Sequence, residues 1–178
     1  MELIETNLKG CFVIQPKTFS DSRGALTKVF HSPTFKELGL RVDFQEEYYS
    51  VSSKGVVRGL HFQVPPDDHV KCVSCLNGSI FDVVVDIRTS SPTFGQHYST
   101  VLDHRNPTLL YIPPGMAHGF LSLEEGSIFL NRTTTVFSPS CDSGIRWDSC
   151  GIDWPEMEYI VSEKDQKMPA LEDYNSPF

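Results

Sequence analysis

The stretch Gly55-Val56-Val57-Arg58-Gly59-Leu60-His61-Phe62-Gln63 is strand-like, with glycines at its start and middle and an Arg and a His inside it. On a regular strand Arg58 and Leu60 share one face and His61 takes the other, unless Gly59 bends the chain. Taken alone, the segment also fits a half-buried strand with a satisfied histidine. Further runs rich in Val, Ile, Phe, Tyr and Thr lie on either side. They are Cys11–Gln15, Leu26–Phe30, Glu47–Ser52, Val70–Leu76, Ser79–Arg88, Gln96–Leu102, Thr108–Ile112, Gly119–Leu123 and Ser127–Phe137. Turn residues separate them at about ten-residue spacing, the pattern of an all-β chain. Asn77-Gly78 is the strongest hairpin signal. Only Pro33–Leu40 reads as a helix, with Ser32 as its cap and Gly39 near its end. Many short strands predict a sandwich, jelly roll or small barrel. The segment from Ser138 onward reads as loop and is expected to be functional or to pack over the barrel, across its mouth.

The chain has 178 residues, enough for one domain and too few for two full cores. At 39% apolar and 21% charged it can bury a core. No apolar run approaches the ~18 residues of a membrane span. Met1-Glu2-Leu3-Ile4-Glu5 lacks the basic and apolar segments of a signal peptide, so a cytoplasmic location is expected. Fifteen basic against twenty-three acidic residues give a net charge of −8, which argues against nucleic acid as a partner. A local Arg/Lys cluster remains able to hold a small anion. Five cysteines, an odd number, argue against a disulfide framework. Cys72 and Cys75 have the spacing of a zinc half-site. On a strand, however, residues three apart face opposite ways, and no second pair exists.

Ile112-Pro113-Pro114-Gly115-Met116-Ala117-His118-Gly119-Phe120 puts a Pro-Gly turn before a histidine and a new apolar run. It resembles the second half of the cupin double motif. Metal cupins carry two histidines one residue apart in the first half; this chain has His61-Phe62-Gln63, so no metal is expected. Ser162-Glu163-Lys164-Asp165-Gln166 reads as a polar loop. Its aspartate gains meaning only beside a histidine, where it fixes the tautomer and raises the basicity of the other ring nitrogen.

Together these segments resemble the dTDP-4-dehydrorhamnose 3,5-epimerase family of sugar-nucleotide epimerases. The resemblance runs from Asp21-Ser22-Arg23-Gly24 through Gly55–Gln63, Lys71 and Phe81–Arg88. It continues through Ser90–Gly95, Ile112–Phe120, Gly144–Asp148 and Ile152–Pro155 to Ser162–Asp165. It implies a cupin-type jelly roll, a homodimer exchanging N-terminal strands, and no metal or organic cofactor. It also implies His61 as base, Asp165 as its partner and Lys71 as the cation at the enolate. Arg23, Arg58, Gln63 and His118 match groups lining the nucleotide-sugar site, and Asp82 a carboxylate behind it. The implied ligand is a nucleotide-diphosphate 4-keto sugar, with dTDP first and CDP or GDP as alternatives.

The chain departs from the family at two places. The usual run Tyr-Lys-x-Thr-x-Tyr-Tyr-x-Pro begins with the acid of the opposite face, but this chain has Asn131-Arg132-Thr133-Thr134-Thr135-Val136-Phe137-Ser138-Pro139. An amide is no comparable proton donor. Another donor, or inversion at one carbon only, would explain the change; Thr133, Thr135 and Ser138 are nearby hydroxyls. At the nucleotide end, Ala25, Lys28, Glu46 and Tyr48 stand where the family has Phe, Glu, Gln and Asn, which points to an altered ligand contact. A sugar-nucleotide-binding cupin without catalysis, or a 3,4-ketoisomerase, are the competing expectations.

Overall fold

Alternation of apolar residues builds strands that stack as two facing sheets. The computed structural model describes residues 1–178. In chain order the strands are β1 (Glu2–Glu5), β2 (Phe12–Gln15), β3 (Thr18–Asp21), β4 (Gly24–Thr27), β5 (Glu46–Ser52), β6 (Val56–Gln63) and β7 (Lys71–Asn77). They continue as β8 (Ser79–Asp86), β9 (His97–Asp103), β10 (Leu109–Ile112), β11 (Met116–Ser122), β12 (Ser127–Thr133), β13 (Asp142–Gly144) and β14 (Ile160–Val161). The short helices are α1 (Ser32–Glu37) and α2 (Glu163–Gln166). One sheet runs β1-β2-β10-β7-β12-β5; the other runs β13-β6-β11-β8-β9, with β14 added in parallel to β6. The β3–β4 hairpin pairs with neither sheet. This is the cupin-type jelly roll that the family resemblance implies.

Three apolar clusters show how the faces divide. Between the sheets, Val73, Cys75, Leu110 and Phe129 of the first meet Ile80, Val84, Leu102 and Phe120 of the second. Phe35 of α1 and Leu40 cover the outer face of the first sheet, over Ile14, Cys72 and Leu109. Trp154, Leu171, Tyr174 and Phe178 cover the outer face of the second, over Leu60, Val83, Val85 and Ile145. Cys72 and Cys75 thus lie in different clusters, on opposite faces of β7, as the strand period requires.

Several sequence expectations are corrected. Asn77-Gly78 makes no hairpin: β7 pairs with β10 and β12, whereas β8 pairs with β9 and β11. The turn reverses the chain but passes it between layers. Each strand buries both faces and pairs with strands other than its neighbour across the turn, which a local turn signal cannot register. The strand expected at Leu26–Phe30 ends at Thr27, and that expected at Ser127–Phe137 ends at Thr133. The cap of α1 is His31, with Ser32-Pro33 in the first turn, where proline's missing N–H costs nothing. The segment after Ser138 is not loop alone: it contains β13, β14 and α2, most of its apolar side chains cover the outer face of the second sheet, and residues 160–165 reach the cleft between the sheets.

Beside the second sheet, Asp86 organises the loop that follows β8. Its carboxylate is fully buried and accepts from the Arg88 backbone N–H and guanidinium and from the Ser91 and Thr93 hydroxyls. Burial pushes its pKa up, but these donors outweigh burial and bring it to about 2, against 3.8 for a free aspartate. The depressed value means stability that is complete above about pH 4 and is lost as pH falls through about 2. The gap corresponds to about 2 kcal/mol. Asp86→Asn is expected to lower stability by about that amount at pH 7 and to flatten the acid limb between pH 4 and 2, as read by urea titration across that range.

Candidate active site

Along the inward face of the first sheet the residues change from polar to apolar. Lys71 and Thr133 sit directly across from each other on β7 and β12, Asn131 lies across from Val73, and Phe129 lies across from Cys75. Tyr48 on β5 is the cross-strand partner of Asn131 on its other side. From the second sheet, Arg58, His61 and His118 face the same space. The result is a cleft of about 560 Å³, within the ~300–1,000 Å³ usual for small-molecule sites.

A bulge turns both Arg58 and His61 into this cleft. His118 pairs with His61 and Phe120 with Arg58, so β6 places two residues, Gly59 and Leu60, opposite one, Gly119. This corrects the regular alternation: Leu60 faces outward while Arg58 and His61 share the inward side. The glycines make the bulge possible. Gly59 has φ +135°, and a Cβ there would lie 2.6 Å from the Gly119 Cα. A Cβ on Gly119 would lie 2.6 Å from the Arg58 carbonyl oxygen.

His61 Nε2 lies 2.7 Å from Asp165 Oδ1. The other carboxylate oxygen accepts the Gly59 N–H at 3.2 Å. Asp165 is therefore an acceptor for both the His61 ring and the bulge amide. It is delivered by α2, whose N-cap Ser162 accepts the Asp165 N–H. Sequence reading treats this segment as a loop, yet Ser-x-x-Asp is an N-cap signature, and that signal was available. Burial would raise the Asp165 carboxyl, but the His61 and Gly59 hydrogen bonds hold it below its usual value. With Nε2 engaged, Nδ1 of His61 is the ring nitrogen free to accept a proton.

Lys71 is buried, and its Nζ donates to the His61 carbonyl oxygen at 2.8 Å, its one hydrogen bond to the protein. Burial pushes its ammonium down to about 8, with Asp82 and Asp142 pulling the other way. It remains charged at pH 7, with two N–H donors left for a ligand. His118 Nε2 lies 2.9 and 3.0 Å from the two oxygens of the fully buried Asp82, and its ring stacks on Phe129. Each histidine is thus committed to a different carboxylate. No group of three His, Cys, Asp or Glu side chains forms a metal-ligand set.

The remaining sequence-predicted residues divide. Arg58 lines the cleft, its Nε donating to Ser52 Oγ. Gln63 is used by the protein itself: its amide N–H donates to the Asp67 carbonyl at 2.7 Å and its oxygen accepts the Ser138 N–H. Glu46 lines a smaller adjoining cleft and accepts the Phe137 N–H. Arg23 and Lys28 do not reach the cleft. Arg23 is exposed on the β3–β4 hairpin and pairs with Asp21, and Lys28 is exposed just after it. Sequence reading missed Ser50, a cleft residue whose buried Oγ has no partner, and His69, whose pKa is pushed down to about 3 by burial and by Lys71.

The family model described as dTDP-4-dehydrorhamnose 3,5-epimerase matches residues 5–173. The chain belongs to that family. The dTDP-4-dehydrorhamnose 3,5-epimerase of Salmonella typhimurium is 41% identical over 176 residues, covering 97% of this chain and 96% of that protein. The crystal structure of the Legionella pneumophila dTDP-6-deoxy-D-glucose-3,5-epimerase, in complex with dTDP-4-keto-L-rhamnose, superposes with a TM-score of 0.93 at 35% identity. It covers 98% of this chain and 94% of that one. A 3'-monoepimerase from Streptomyces bikiniensis, in complex with dTDP-quinovose, superposes with a TM-score of 0.91 at 28% identity, covering 95% and 87%. The family's enzymes are isomerases, and the cleft has the residue types such chemistry needs.

Asp165→Asn preserves shape but removes the charge that orients His61. Loss of an oriented acid–base group is expected to lower turnover by about 10²–10⁴-fold. Steady-state kinetics alongside a thermal melt would check this, the melt showing that the variant is still folded.

Proposed function

We propose that this protein epimerises a nucleotide-diphosphate-linked 4-keto-6-deoxy sugar at C3, C5 or both, through an enolate and without a cofactor. The observation that carries this reading is the oriented His61–Asp165 pair beside the buried Lys71 ammonium. An ordinary ketone α-hydrogen has a pKa of roughly 19 against about 6.5 for histidine, a gap of about 12 units or roughly 17 kcal/mol. His61 alone cannot bridge it. A cation held at the developing O4 oxyanion in a water-poor cleft supplies part of the difference. His61 Nδ1 takes the proton, the C–H pair becomes the enolate double bond, and the carbonyl pair moves to O4 against Lys71. Arg58 is the cleft's guanidinium for the diphosphate. The base of the nucleotide is read as thymine first, with cytosine or guanine as alternatives. The five buried, unbridged cysteines accord with a reducing compartment, the cytoplasm.

The test is proton NMR in heavy water with dTDP-, CDP- and GDP-4-keto-6-deoxyhexoses. Deuterium is expected at C3 or C5 for one of them. The rate, measured as kcat/KM, is expected to fall as pH rises through about 8, because the free enzyme's Lys71 then loses its charge. Lys71→Met is expected to slow exchange by about 10²–10³-fold. Binding without exchange for every substrate would favour the non-catalytic alternative.

The same reading includes a homodimer. The β3–β4 hairpin pairs with no other strand of its own chain, and it exposes Phe19 and Leu26. A lone two-stranded hairpin is marginal in water, so it calls for a covering surface. Exchange of this arm would bring Arg23 and Lys28 to a partner's cleft, where a diphosphate needs cations. Wild-type protein is expected to sediment as a dimer, and Phe19→Asp with Leu26→Asp as a monomer with weakened turnover. A monomeric wild-type protein would count against the exchange.

A further inference from the structure

The residue across the cleft from His61 has no phenol on β12. Asn131 stands there, almost wholly buried, and its Oδ1 has no hydrogen-bond partner. Its Nδ2–H donates at 2.7 Å to the hydroxyl oxygen of Tyr48, directly opposite it on β5. The Tyr48 hydroxyl therefore sits beside the position that a side chain at residue 131 would command. Tyr48 and His61 come from opposite sheets and line one cleft. A flat enolate held between them has the imidazole on one face and the phenol on the other.

We propose that Tyr48 is the proton donor for the face opposite His61, the phenol having moved one strand across its cross-strand pair. This rests on the epimerase reading above. Of the other hydroxyls, Thr133 donates to the Thr135 carbonyl and Thr135 to the Asp67 carbonyl. Ser138 pairs with Ser140. Ser50 has an unpartnered Oγ, but that oxygen is buried and an alcohol is a far weaker acid than a phenol. The phenol donates to no protein acceptor, so its proton is available to a ligand. Burial, the largest influence, and Glu46 raise its pKa while the Asn131 bond lowers it; the net rise keeps it protonated near neutral pH. After transfer, the Asn131 N–H stabilises the phenolate. In the step itself the Tyr48 O–H breaks, the enolate pair forms the new C–H bond on the inverted face, and the C4 carbonyl re-forms. Solvent then reprotonates Tyr48 and takes the proton from His61.

The experiment follows exchange and inversion separately, in heavy water, with the 4-keto sugar nucleotide that the wild-type protein turns over. Tyr48→Phe is expected to keep incorporating deuterium at the carbon addressed by His61 while inverted product falls at least 100-fold. The paired exchange Tyr48→Asn with Asn131→Tyr is expected to restore inversion, which a merely structural role for Tyr48 would not produce. Undiminished inversion in Tyr48→Phe, or equal loss of exchange and inversion in a folded variant, overturns the assignment alone. Absence of exchange in the wild-type protein overturns the proposed function and the assignment with it.

Discussion

The close approach of Gly59 and Gly119 is the constraint on which the site depends. Two backbones meet where neither residue has room for a Cβ. The extra residue of the bulge turns Arg58 to the same side as His61 and takes the Gly59 N–H out of regular pairing with β11. A buried amide without an acceptor costs about 1–3 kcal/mol. Asp165 accepts it, and through its second oxygen it also orients His61. One carboxylate thus satisfies a backbone defect and sets a tautomer. The C-terminal segment that brings Asp165 is held by β14 against β6 and by the apolar contacts on the outer sheet face, so packing far from the cleft fixes the His61 ring.

The polar end of the barrel works against stability. Lys71, Asp82, His118 and Asn131 occupy inward positions that Val, Leu or Phe would fill elsewhere in the same sheets. Asp82 and His118 compensate each other. Lys71 does not find a carboxylate within ion-pair distance, and its lowered pKa measures how poorly the interior solvates the charge. On the proposed mechanism that weak compensation is the cation's use: an ammonium with few partners in a low-dielectric cleft interacts strongly with a new oxyanion. The apolar half of the sandwich and the two outer covers supply the stability that this end forgoes.

Fold class was legible in the sequence because period-2 runs and evenly spaced turns are local signals. That His61, Lys71 and His118 meet in one cleft was legible through motif resemblance. Arg58's direction was not, because the bulge depends on Gly119, sixty residues away. Nor was the sheet assignment at Asn77-Gly78, where the turn chemistry is right and the partners are non-local. Gln63 stood at a motif position, but its role depends on the 64–69 and 135–138 loops that surround it. The contact of Asp165 with His61 spans 104 residues; no spacing within either segment encodes it, and only the family resemblance pairs the two. What the sequence could have shown is the Ser162 cap that places Asp165 on a helix.

A cross-strand pair behaves as one chemical unit. Directly opposite side chains on an antiparallel ladder have Cβ atoms about 4.5–5.5 Å apart, so a phenol on either strand can bring its hydroxyl to nearly the same point. Reading Asn131 alone suggests a lost acid, and reading Tyr48 alone suggests an altered nucleotide contact. Read as partners, the two departures compensate: the amide and the phenol have changed places, and the hydroxyl stays on the wall that faces His61. The geometry of delivery differs, because a tyrosine on the edge strand β5 enters the cleft from its lip rather than its floor. What the exchange of amide and phenol changes is therefore the direction of approach of the hydroxyl, not the kind of group that faces His61.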